Sequence, residues 1–253
     1  MHLRSGRPLL GPSARRWAGW LLACCAILVT VLGVLFAHQT QPDWLDRAVD
    51  APFIAWLGGH VGLGLWLITP GSPVPAAAAS AAIAVACLLA GRLNGAVLAA
   101  AAVPVANGLV EGVLKPLVHR TYLGDVVYPS GHTTAIVALA ATVTVLLLVP
   151  PRPAGAGAVR VLIPAVACAA GVVVATGLIG LRFHYFTDTV AGAAVGIGTV
   201  CGLALLLDLP SIRRCLAWVD LRCAGRSDAV TATLAPRPAV DRNERRPTRS
   251  GER

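Results

Sequence analysis

The chain has 253 residues, of which 56% are hydrophobic and 13% charged, with a mean hydropathy of +0.72. A soluble domain carries about 25% charged residues, so this composition excludes a disordered chain and argues strongly against a water-soluble globule. The formal charge of +9 lies wholly at the ends: residues 17–210 hold seven basic and seven acidic side chains, whereas the first 16 residues carry four Arg and no acid.

A helix that crosses a bilayer core needs about 20 apolar residues. Residues 1–16 read as a basic cytoplasmic segment and 17–37 as the first span. Leu21-Leu22-Ala23-Cys24 has the look of a lipoprotein cleavage box, but the apolar stretch runs on past the cysteine, so the span is read as uncleaved. Between Asp50 and Arg92 lie 41 residues without a formal charge, room for two spans. Pro70, Pro73 and Pro75 interrupt that run, and residues 43–69 are therefore predicted as an interfacial or re-entrant helix. Further spans are predicted at 74–91, 93–114, 132–149, 161–181 and 190–207. Six spans keep the N-terminus, Arg92, Arg152, Arg160 and the Arg-rich tail on one side, which the positive-inside rule makes cytoplasmic. Only Arg47, Lys115, Arg120 and Arg182 then lie outside. The predicted fold class is all-α, a polytopic six-transmembrane helical bundle of the plasma membrane with both termini cytoplasmic.

Gly192/Gly196 and Gly198/Gly202 predict close helix contacts along the last span. From Ser211 the chain is rich in Arg, Pro, Thr and Ala and reads as a disordered tail. Anionic lipid headgroups, not nucleic acid, are its predicted partner. The seven cysteines form no CxxC pair and read as small buried hydrophobes.

Ionisable residues near the spans fall in three clusters, all predicted at the outer ends of spans three to five. Such groups are expensive at membrane depth and mark a functional site. The first holds Glu111, Lys115 (the only lysine of the chain) and Arg120; Glu111 and Lys115 are four apart and share a helix face. The second reads Tyr128-Pro129-Ser130-Gly131-His132 before an apolar run, with Ser130 a helix N-cap and the first-turn amides an anion site. There His132 can serve as a general acid. In the third, His184 and Asp188 are spaced for the carboxylate to orient the imidazole. Together these parts suit phosphoryl transfer through a phosphohistidine. Two His and one Asp could hold zinc by number, but no HExxH or Cys/His spacing accompanies them, so neither a metal nor another cofactor is expected.

In this order and spacing the clusters resemble the type 2 phosphatidic acid phosphatase superfamily of membrane lipid phosphatases. The matching residues are Lys115 with Arg120 downstream, the complete Pro129–His132 motif, and His184-x-x-x-Asp188. The resemblance covers residues 17–207 and implies a site on the non-cytoplasmic face. It implies His184 as nucleophile, Asp188 as its relay partner, and His132 as the acid that protonates the leaving alcohol and then activates water. Lys115, Arg120, Ser130 and the Gly131 amide would hold the phosphate. Two places depart from the family pattern. Tyr122-Leu123 stands where an Arg-Pro pair is usual, and Gly177-Leu178 where Ser-Arg is usual; Arg182 is the candidate substitute cation. The implied activity is metal-independent hydrolysis of a lipid phosphate monoester or diphosphate, of the phosphatidic acid, phosphatidylglycerol phosphate or polyprenyl class. The alternatives are a phosphotransferase at the same site and a catalytically impaired scaffold or lipid-binding protein. The missing arginines favour the scaffold, while His132, His184 and Asp188 oppose it.

Overall fold

A computed structural model of the chain describes residues 8–148, 157–216 and 218, and these are mostly helical. In chain order the helices are α1 (Pro12–Phe36), α2 (Trp44–Leu57), α3 (Val61–Ile68), α4 (Pro73–Leu89), α5 (Leu93–Leu109), α6 (Lys115–Val118), α7 (Gly131–Leu148), α8 (Gly157–Gly180) and α9 (Phe186–Leu207). A 3-10 turn at Thr69–Gly71 joins α3 to α4, and a π-turn at Val110–Leu114 joins α5 to α6. A two-stranded antiparallel hairpin, β1 (Thr121–Tyr122) with β2 (Asp125–Val126), lies between α6 and α7.

Among the described residues, five helical stretches are long and apolar enough to cross a membrane: Pro12–Phe36, Val61–Leu89, Leu93–Val118, Val161–Gly180 and Phe186–Leu207. The chain is thus built as an integral membrane protein. α7 is a shorter apolar helix. Many large apolar side chains such as Trp17, Trp20, Val34, Leu89 and Val161 point outward, while the core is rich in small ones, among them Ala76, Ala99, Ala106, Ala135 and Ala138. That inversion fits a solvent of lipid tails, where helices gain by approaching closely instead of by hiding Leu from water.

Glycine sets two of those approaches. A Cβ on Gly192 would stand 2.5 Å from the Ser130 carbonyl oxygen, and one on Gly196 would stand 2.8 Å from that of Thr134. These two residues let α9 lie against the backbone of α7. Gly198 faces α1 instead, where a Cβ would be 3.2 Å from the Cys25 Cβ. Gly192→Ala is expected to lower stability by about 1–3 kcal/mol through overpacking against backbone. Gly198→Ala, facing a side chain, is expected to cost less. Thermal melting in detergent checks this; equal melting of the two variants would contradict the packing.

Several boundaries differ from expectation, each for a local reason. α1 starts at Pro12, not at residue 17, because proline suits the first helical position. Ahead of it Leu9 and Leu10 are buried, and their amides donate to Asp208 at 2.6 and 2.8 Å. Arg15 Nε joins the same carboxylate at 3.1 Å, so residues 9–15 of the basic N-terminal segment are tied to the end of α9. Residues 43–69 form two helices, parted at Gly58-Gly59-His60, instead of one. The apolar stretch from α3 passes through the prolines into α4, since Pro70 sits in the 3-10 turn and Pro73 at a helix start. Of the tail predicted disordered from Ser211, residues 211–216 are helical. Val149, Arg152 and the tail beyond Trp218 lie outside the described residues.

Candidate active site

The three polar clusters gather at one end of the bundle, opposite the Asp208 lock. On the first, Pro116 has no N–H to continue the α-helical ladder, and the chain makes a π-turn in which the Lys115 amide donates to Val110 O. Such turns recur at functional sites. Glu111 and Lys115 pair across it, with Nζ 2.7 Å from Oε1 and 3.0 Å from Oε2.

Ser130 caps α7 as its sequence predicts. Its buried Oγ accepts from the Thr133 amide at 3.4 Å and lies 3.2 Å from Thr133 Oγ1. The Ser130 amide donates to Asp188 O at 3.0 Å, which binds the second cluster to the third.

The third cluster opens on a Schellman turn ending α8. Arg182 N–H donates to Ile179 O and Phe183 N–H to Leu178 O, both at 2.9 Å. Arg182 occupies the left-handed position, φ 61°, where glycine is usual. A non-glycine residue there costs about 1–2 kcal/mol, and strain of this kind collects at functional sites.

One cavity of about 630 Å³ unites much of this. Its walls include Glu111, Lys115, Gly131, His132, Arg182 and His184, with Tyr122 to Val127 of the hairpin segment contributing Leu123 and Asp125. Asn107, one turn below Glu111, also lines it, and its Oδ1 has no hydrogen-bond partner. Of the eight candidate residues the cavity therefore exposes five: His132, His184, Lys115, Gly131 and Arg182. Ser130, Arg120 and Asp188 stand behind its wall and are fully buried.

The placement of Arg120 departs most from expectation. It does not line the cavity. Nη1 donates to Asp188 Oδ1 and Thr187 Oγ1, each at 2.7 Å, and Nη2 to Asp46. The guanidinium carbon lies 4.2 Å from the Phe36 ring centroid and 4.3 Å from that of Tyr185, and Tyr185 stacks with Tyr122 at 4.3 Å. A group so enclosed is spent on protein carboxylates and is not free for phosphate. Asp188 is shared too: Oδ1 takes Arg120, and Oδ2 accepts from the Tyr185 amide at 3.0 Å. Its distance to His184 Nδ1 is 3.8 Å, longer than a hydrogen bond, and that nitrogen has no other partner.

Asp46 and Asp50 were not foreseen. Asp46 Oδ1 accepts from Thr187 N at 3.0 Å and Thr187 Oγ1 at 2.9 Å, and Asp50 Oδ1 accepts from Phe186 N at 3.1 Å. Two acids of α2 thus satisfy the first amides of α9, where carboxylates are favoured by the helix dipole. The sequence signal was there: two acids four apart, on one face of a short apolar helix.

Burial, then the neighbouring Asp46, pushes the Asp50 carboxyl up to about 7, although the Phe186 amide and Arg120 act the other way and Asp188 adds to the rise. The unfolded value is about 3.9, so the fold prefers protonated Asp50. Its contribution is complete below about pH 4 and is lost as pH rises toward 7. Between pH 4 and 8, melting temperatures of wild type and Asp50→Asn are expected to diverge, the wild type losing ground with rising pH. Parallel curves would contradict this.

Among the described residues no three His, Cys, Asp or Glu side chains gather as a metal site. No family model, curated protein or solved structure matches the chain.

Proposed function

We propose that this protein is a six-span membrane phosphatase of the type 2 phosphatidic acid phosphatase kind, hydrolysing a lipid phosphate monoester or diphosphate at the non-cytoplasmic face. The observation that carries the reading is that His132 and His184 line one cavity with Lys115, Arg182 and the start of α7. For the sixth span, the 18 residues of α7 extend about 27 Å, close to the roughly 30 Å of a bilayer core. The sidedness rests on charge: Arg15, paired with Asp208 at the end of α9, and the cavity are at opposite ends of the bundle.

His184 Nδ1 is turned into the protein, which leaves Nε2 for the cavity. Nε2 attacks phosphorus, the N–P bond forms as the P–O bond to the lipid breaks, and His132 delivers a proton to the leaving oxygen. Water then attacks the phosphohistidine, His132 takes its proton, and inorganic phosphate departs with His184 restored. Lys115, Arg182 and the amides at the start of α7 hold the phosphate oxygens. Because Glu111 already neutralises Lys115, Arg182 is the cation of the cavity wall left most available to substrate.

The test is phosphate release by detergent-purified protein, with EDTA present, from phosphatidic acid, phosphatidylglycerol phosphate, and polyprenyl phosphate and diphosphate. Release from at least one is expected. Folded protein that releases phosphate from none of them points to the scaffold or lipid-binding alternative.

A further inference from the structure

Arg120 meets Asp188 through one amino group only. Nη1 donates to Asp188 Oδ1, while Nη2 is turned aside to Asp46. A guanidinium beside a carboxylate ordinarily makes a two-pronged fork with both oxygens. Asp46 prevents the fork by keeping Nη2 for itself. Asp188 Oδ2 is thereby left to the Tyr185 amide and to His184 Nδ1.

We propose that Asp46 is a positioning residue for the His184–Asp188 pair, and that α2 is in consequence part of the active site. The proposal rests on His184 being the nucleophile. As the N–P bond forms at Nε2, the imidazole ring becomes positive, and its Nδ1–H needs an anionic acceptor. Asp46, Arg120 and Asp188 are all fully buried, and together they carry one net negative charge next to that ring. Without the charge of Asp46, Arg120 and Asp188 sum to zero. Nη2 then also loses its acceptor and closes on Asp188 Oδ2, the oxygen His184 requires.

Asp46→Asn keeps the side-chain volume and the oxygen that receives Thr187 N and Oγ1, but it presents an amide donor to Nη2. The expected result on the lipid that the wild type turns over is a kcat lowered about 10–100-fold, the size of loss seen when the outer partners that orient a metal-bound histidine are removed. KM stays unchanged, because Asp46 is outside the cavity wall. Asp46→Glu restores the charge and is expected to recover most of the kcat. A second readout needs no turnover: with nitrogen-15-labelled histidine, the His184 Nδ1 resonance, identified by its loss in His184→Gln, moves in Asp46→Asn and returns in Asp46→Glu. An unmoved resonance or a wild-type kcat in folded Asp46→Asn overturns the proposal. So does an equal loss in both variants with a fall in melting temperature, which marks a structural role alone. If Asp46→Asn does not fold, Asp46→Glu decides by itself, and a shifted His184 resonance with kcat below a tenth of wild type overturns the proposal. Wild type without activity on any lipid defeats the phosphatase reading instead, and the resonance still tests the network.

Discussion

His184→Ala is expected to abolish phosphate release from any lipid the wild type hydrolyses. Alanine offers no nitrogen to take the phosphoryl group, and the remaining cavity can only bind it. With radiolabelled substrate the wild type should carry an acid-labile, base-stable label that His184→Ala lacks. His132→Ala differs in kind. The nucleophile survives but the leaving oxygen must depart without its proton, a loss of about 10²–10⁴ in rate. That loss should shrink for phosphoenzyme formation from nitrophenyl phosphate, whose leaving group needs no proton. A labelled His184→Ala protein, or an equal His132→Ala defect on both substrates, would contradict the assigned roles.

The second large effect concerns stability. Arg120→Ala leaves Asp46 and Asp188 facing one another, fully buried, with no cation between them. Removing one partner from a buried ion pair costs about 3–5 kcal/mol, since the charge left behind has lost both water and partner. The stacking against Phe36 and Tyr185 is lost as well. We expect a sharply lower melting temperature and a poor yield of folded protein from Arg120→Ala. The double variant Asp46→Asn/Arg120→Gln should be less damaged, because it removes the cation together with one of the two anions. Arg120→Ala melting with the wild type would mean that the network is not formed.

These two effects separate what a linear reading can and cannot find. His132, His184, Lys115 and Arg182 were legible because charged and imidazole side chains are rare in a chain so apolar, and each one near a span needs an explanation. The Ser130 cap was legible because capping is local, set by the few residues around a helix start. Arg120 was recognised as part of the constellation, but its destination was not. Its carboxylate partners are 74 and 68 positions away in the chain, and only the docking of α2 onto α9 brings Asp46 to it. The same holds for Asp50, whose acceptor role depends on the Phe186 amide 136 positions distant.

Helix ends follow the same division. Apolar length determined where chain would run as helix, but Pro12, Gly58 and Pro116 adjusted the ends through local hydrogen bonding, and Asp208 drew Leu9 and Leu10 into the bundle. The sequence by itself determined that this is a helical membrane protein, with its excess charge at the termini and three short polar clusters near the spans, because composition and apolar run length decide partition into lipid. Only the tertiary structure decided which clustered groups face the cavity. A guanidinium buried among carboxylates and one facing a cavity have the same residue name, and what distinguishes them is the set of partners that distant helices supply.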